Sequence, residues 1–119
     1  HTYNHVKGWD HSDEEYLSNV YRCQELTKTA LFRPPYARAK KSQLKALKKD
    51  FEIIYWDVLS GDFDLKLSPQ KCLNNILKYT RNGSIIVLHD NIKAIPRVQY
   101  VLPQLLDLYT QKGYTFKTL

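Results

Sequence analysis

The chain has 119 residues, room for one domain with a modest core but little for a complete barrel. Hydrophobic residues make up 43% and charged residues 25%, as in ordinary soluble globular domains. The formal net charge is +6, and no apolar run approaches the roughly 20 residues of a membrane-spanning helix, so no membrane span is expected. A chain that opens on His1 is expected to be a mature, cleaved or excised segment and does not report on its own targeting.

In chain order, Ser12 followed by Asp13, Glu14 and Glu15 reads as a helix start, a capping hydroxyl before a first turn of carboxylates. That helix is expected to run to about Thr29, with Tyr16, Leu17, Val20, Cys23 and Leu26 on its apolar face. Leu31-Phe32-Arg33 reads as a short strand stopped by Pro34 and Pro35. A second helix covers residues 41–49. Leu44 and Leu47 sit at helical spacing between its lysines, so the basic stretch from Arg38 is read as a solvated helix face. No nucleic-acid motif accompanies the charge, and a nucleic-acid-binding domain ranks far below the readings that follow. Residues 51–58, rich in β-branched and aromatic side chains, read as one buried strand.

Ser68 and Pro69 open a third helix as cap and first helical residue. Cys72, Ile76, Leu77 and, at the limit of the pattern, Tyr79 point inward, and Asn82-Gly83 ends it. Residues 84–88 are a short apolar run expected to form a central parallel strand. A last helix runs from Pro96 to about Gln111 and tolerates Pro103; Tyr114 to Lys117 make a final strand after Gly113. Strand alternating with helix predicts a parallel α/β architecture. Four strands are too few to close a barrel, so N-terminal strand–helix units are expected to be missing. Cys23 and Cys72 lack metal-type spacing and are each expected to lie in an amphipathic helix as small apolar residues, with a disulfide left open.

Four segments carry chemistry. His1 and His5, four apart, can converge on one metal ion, although H-x-x-x-H alone is a weak signal. Phe32-Arg33-Pro34-Pro35-Tyr36 is more specific: two prolines remove two backbone donors and leave the Tyr36 amide as the next one. Asp57 through Phe63 puts carboxylates after a strand, where α/β proteins build sites; taken alone it is a polar turn, with Asp57 at most in support. His89-Asp90 ends the run Ile86-Val87-Leu88, and a histidine there with a carboxylate partner is poised for proton transfer.

The four segments, in this order and at this spacing, resemble the polysaccharide deacetylases, the NodB-homology or family-four carbohydrate esterases. The resemblance covers nearly the whole chain. It implies a partial (β/α) barrel with parallel strands and metal-assisted hydrolysis of an N-acetyl, or sometimes O-acetyl, group on a polysaccharide. His1 and His5 map onto two metal ligands. The third ligand and the catalytic base belong to a first motif, Thr-Phe-Asp-Asp-Gly, that these 119 residues do not contain. Residues 1–119 are therefore expected to be one N-terminally truncated domain, inactive by itself and completed by an N-terminal fragment or another chain. Arg33 maps onto the arginine that pairs with the catalytic aspartate, and Tyr36 onto the residue whose amide holds the oxyanion, with Pro35 beside it. Asp62 maps onto the aspartate that tunes the catalytic histidine, and His89 onto that histidine, the general acid. Phe63 stands where the family has tryptophan, Ala37 where it has glycine, and Val87 where it has leucine against the acetyl methyl, with Leu88 next to it. Two histidines and a carboxylate suit zinc, with cobalt or nickel as alternatives. An extracellular or cell-envelope location follows from the resemblance only. The alternative is a non-catalytic, glycan-binding deacetylase-like domain.

Overall fold

The computed structural model describes residues 1–119, which form two compact units, His1–Tyr55 and Trp56–Leu119. In the first, Ser12 caps helix Asp13–Thr27 (α1) by a capping box: its Oγ accepts the Glu15 amide at 3.2 Å, while Glu15 accepts the Ser12 amide at 3.0 Å. Strand Leu31–Phe32 (β1) pairs in parallel with Glu52–Ile53 (β2), and helix Lys41–Leu47 (α2) lies between them in sequence. Tyr16, Val20, Phe32, Leu47 and Phe51 make this unit's core. Leu26, expected inside, is exposed, and Cys23 is only half-buried, because the buried face of α1 narrows to Tyr16 and Val20. Lys41, Lys45, Lys48 and Lys49 are exposed, as a solvated helix face requires.

Gly8 is pinned in this unit. Its amide donates to Arg38 O at 2.8 Å, and the buried Gln43 amide donates to Gly8 O at 2.9 Å. A Cβ there would stand 2.3 Å from Gln43 Oε1 and 2.8 Å from the Ala39 backbone. Gly8→Ala is therefore expected to cost about 1–3 kcal/mol, the range for overpacking. A urea midpoint equal to that of the unsubstituted chain would contradict this contact.

In the second unit, strand Val58–Leu59 (β3) pairs in parallel with Ile86–Val87 (β4). Helix Pro69–Tyr79 (α3), capped by Ser68, and helix Ile95–Gln111 (α4), with Pro103 inside it, complete the unit. Its core is Val58, Cys72, Leu73, Ile76, Val101, Leu105 and Tyr109. Tyr79 is exposed, and α3 ends there with Thr80 as its cap, three residues before the expected Asn82-Gly83 stop.

The single strand expected over residues 51–58 is instead two strands, one in each unit. The ladder with β1 stops after Ile54 N donates to Phe32 O, and the amides of both Asp57 and Val58 then turn to one carbonyl, that of Ile85. The final strand expected at Tyr114–Lys117 does not form: those residues are exposed and unladdered. Gly113, at φ +80°, ends α4, and the Tyr114 amide folds back onto Tyr109 O at 2.9 Å. Both cysteines are free thiols. No helix is long and apolar enough to cross a membrane.

Candidate functional site

The predicted site residues gather into one cluster in each unit. In the first, Thr2 builds the turn that brings the histidines together. Its carbonyl accepts the His5 amide at 3.3 Å, its Oγ1 accepts the Val6 amide at 2.8 Å, and the residue is buried. Asn19 on α1 ties this turn down, accepting the Tyr3 amide on its carbonyl at 3.0 Å and the Asn4 amide on its side chain at 2.9 Å. The His1 and His5 ring centroids lie 5.0 Å apart, with His5 at a left-handed φ of 55°. His1 Nδ1 donates to Arg33 O at 2.6 Å, which fixes the tautomer and leaves Nε2 with its lone pair. His5 in turn meets the edge of the Tyr36 ring at 4.9 Å between centroids.

Pro34 and Pro35 are buried, and the chain turns sharply after them. Ala37 N donates to Pro34 O and Arg38 N to Pro35 O, each at 3.0 Å. Tyr36 and Ala37 both take left-handed φ values, 57° and 58°, which non-glycine residues adopt at a cost. The Tyr36 amide bonds to no acceptor of the chain and is available to a ligand.

This unit's donor set suits a divalent ion only in part. Two imidazoles meet, one of them oriented by a backbone carbonyl, but no group of three His, Cys, Asp or Glu side chains forms anywhere in the chain. The cluster brings two imidazoles together and no third donor of these kinds.

The second cluster is built on the loops that follow β3 and β4. Asp62 is fully buried, and its Oδ1 receives His89 Nδ1–H at 2.7 Å. Its Oδ2 receives the His89 backbone amide. Ser60, also buried, donates Oγ–H to Oδ1 at 3.0 Å. The His89 side chain is 35% exposed, and the Phe63 ring stands edge-on to it at 5.3 Å. Val87 is buried, while Leu88 is half-buried against the unit's core. Arg97 on α4, buried, donates to Leu67 O and Lys93 O, both at 2.8 Å, and so holds the loop that follows Asp62.

Asp57 has another task. It accepts the Ile85 amide at 2.8 Å and the Ser84 hydroxyl at 2.9 Å, with Arg81 at 3.8 Å. The Ile85 hydrogen bond, then those from Ser84 and its own amide and the Arg81 charge, hold its carboxyl below the usual range against a partial desolvation. It clasps the turn before β4 to β3. His11 is half-exposed and sits 3.8 Å from Glu15.

No protein-family model matches the chain. Among curated proteins it is 23% identical over 126 aligned residues to the peptidoglycan-N-acetylglucosamine deacetylase of Bacillus cereus, covering 100% of this chain and 59% of that protein. It is 27% identical over 88 residues to a bifunctional xylanase/deacetylase of Pseudobutyrivibrio xylanivorans, covering 74% of this chain and 14% of that protein. Among solved structures, the Bc1960 peptidoglycan N-acetylglucosamine deacetylase in complex with 4-naphthalen-1-yl-N-oxidanyl-benzamide matches all of this chain. The TM-score is 0.83 at 27% identity, over 59% of that structure's chain. The chain is similar in sequence and fold to polysaccharide deacetylases. The chain spans 59% of one of these curated relatives and 14% of the other. Its parallel strand pairs and alternating helices are the NodB-type fold over part of that fold's length.

Proposed function

We propose that the chain carries the metal-binding, oxyanion-binding and proton-donating groups of a hydrolase that removes acetyl groups, N-linked or O-linked, from a polysaccharide. One observation carries the reading: a fully buried carboxylate, Asp62, bonded at 2.7 Å to the Nδ1 of the half-exposed His89. That pairing orients the imidazole and places its proton on Nδ1, leaving Nε2 to face a leaving group.

His1, through Nε2, and His5 would hold a divalent ion, with zinc, cobalt or nickel suited to such ligands. When bound, such an ion polarises the acetyl carbonyl and lowers the pKa of a water molecule. The Tyr36 amide donates to the oxyanion that develops on that carbonyl. Arg33 is the partner for the base aspartate of the Asp-Asp motif. His89 delivers a proton from Nε2 to the leaving nitrogen, or oxygen, as the acyl bond breaks, and Asp62 keeps Nδ1–H in place throughout. Phe63 walls the sugar, and Val87 and Leu88 flank the acetyl methyl. The products are acetate and a free amine or alcohol on the glycan. Chitin oligomers, peptidoglycan and xylan are all compatible substrates, and an extracellular or envelope setting would suit them.

The 119 residues contain no Asp-Asp pair and supply two metal ligands, so the chain alone is expected to release no acetate. The test measures acetate release from acetylated glycans by the chain alone and joined to a segment bearing Thr-Phe-Asp-Asp-Gly, each with and without chelator. Chelator-sensitive release by the joined protein only is the expected result. Glycan binding without release by the joined protein would instead favour the non-catalytic reading.

A further inference from the structure

Three donors reach the buried Asp62 carboxylate, and they are not equivalent. Two belong to His89 itself: ring Nδ1–H on Oδ1 at 2.7 Å, and the backbone amide on Oδ2. Only the third, Ser60 Oγ–H on Oδ1 at 3.0 Å, comes from elsewhere. A carboxylate held only by the residue it is meant to orient could swing together with it. Ser60 supplies the independent reference.

Ser60 is itself built in. It is fully buried, its Oγ accepts the Asp62 amide at 3.3 Å, and its carbonyl accepts Asn75 Nδ2 from α3 at 3.2 Å. The Ser60-Gly61-Asp62 turn depends on Gly61 at φ +81°, where a Cβ would also stand 2.7 Å from Leu67 Cδ2. The buried Cys72 thiol lies against the same hydroxyl. Burial first, and then the Asp62 charge, push that thiol up, while its hydrogen bond with Ser60 and the Arg97 charge oppose the rise. A hydroxyl that donates to a carboxylate and accepts that residue's own amide closes a small ring, leaving the carboxylate little freedom to rotate.

We propose that Ser60 is a positioning residue that, through Asp62, selects the Nδ1–H tautomer of His89 and leaves Nε2 to face the substrate. The assignment builds on His89 as the proton donor of the proposed reaction. Its test reads the imidazole directly and needs no turnover, so absence of acetate release and absence of tautomer selection are separate results.

The experiment is 15N NMR of the histidine rings in the full chain, with His89 assigned by the signals lost in His89→Ala. In the unsubstituted chain at a pH where the ring is neutral, Nδ1 is expected in the protonated range and Nε2 in the unprotonated range. Ser60→Ala is expected to move the two signals toward each other as the tautomers exchange, and Asp62→Asn sets the full extent of the change. Ser60→Cys, close in size with a weaker donor, is expected to give a partial shift. A folded Ser60→Ala chain with an unchanged His89 pattern would overturn the proposal and leave Ser60 as packing only. If Ser60→Ala does not fold, Ser60→Cys decides in the same way, an unmoved pattern counting against the assignment.

Discussion

His89→Ala, in a protein joining this chain to an Asp-Asp segment, is expected to lower kcat for acetate release about 10²–10⁴-fold, the contribution of a positioned general acid. KM should change little, because the lost interaction belongs to the transition state. The fold should survive. The half-exposed imidazole is not part of the unit's core cluster, and Asp62 would keep both Ser60 Oγ and the backbone amide of residue 89 as donors. Circular dichroism matching the unsubstituted protein, together with the kcat loss, is the expected pair of results. Undiminished turnover would remove His89 from the acid role and with it the main support of the functional reading.

Tyr16→Ala is expected to cost about 3–5 kcal/mol of stability, the range for emptying a large buried aromatic site. Tyr16 is fully buried, and its ring meets Phe32 edge-on at 6.4 Å between centroids. Its hydroxyl is buried without a hydrogen-bond partner, so Tyr16→Phe should be neutral or stabilising by about 1 kcal/mol. The same burial, with a smaller contribution from the neighbouring Tyr55, pushes the Tyr16 phenol up to about 12. An unfolded phenol ionises near 10. Between those values the folded chain keeps a proton that the unfolded chain has released, so stability falls as pH rises through the window. The contribution is complete below about pH 10 and is lost above about pH 12, about 2–3 kcal/mol in all. Urea unfolding at about pH 9 and about pH 11.5 should show this fall in the parent chain and a smaller one in Tyr16→Phe. Tyr21 and Tyr55 are also pushed up, the first mainly by its hydrogen bond to Asp50 and the second by burial, so some slope will remain. An equal slope in Tyr16→Phe would show that the Tyr16 phenol is not what holds the proton.

Helix starts were readable because their chemistry is local. Ser12 and Ser68 each cap the helix that their neighbours announce. The break within residues 51–58 was not readable, because it depends on which carbonyl each amide finds, Phe32 O for Ile54 and Ile85 O for Val58. Nor could the apolar pattern of Tyr114 to Lys117 show that no strand would lie beside it to complete a ladder. At the site, the pairing of Asp62 with His89 was legible through family resemblance. The buried Ser60, Gln43 and Arg97 and the half-buried Asn19 give no such sign, because polar side chains that serve backbone or carboxylate partners look like ordinary surface residues in a sequence. Ser60 did leave one signal, a hydroxyl two residues before a carboxylate across a glycine, the local pattern of a side-chain turn. Asp57, by contrast, looked like a candidate for support of the site and proved to be a clasp between β3 and the turn before β4.

Ala37, at φ 58°, holds a left-handed position that glycine takes up without strain. Alanine there carries roughly 1–2 kcal/mol of conformational penalty that glycine would not. A selection for heat tolerance would therefore find position 37 early, since glycine relieves the turn without disturbing a core residue. The same change would loosen the loop that presents the Tyr36 amide. Relief of strain and stiffness of the loop therefore pull in opposite directions at this one residue.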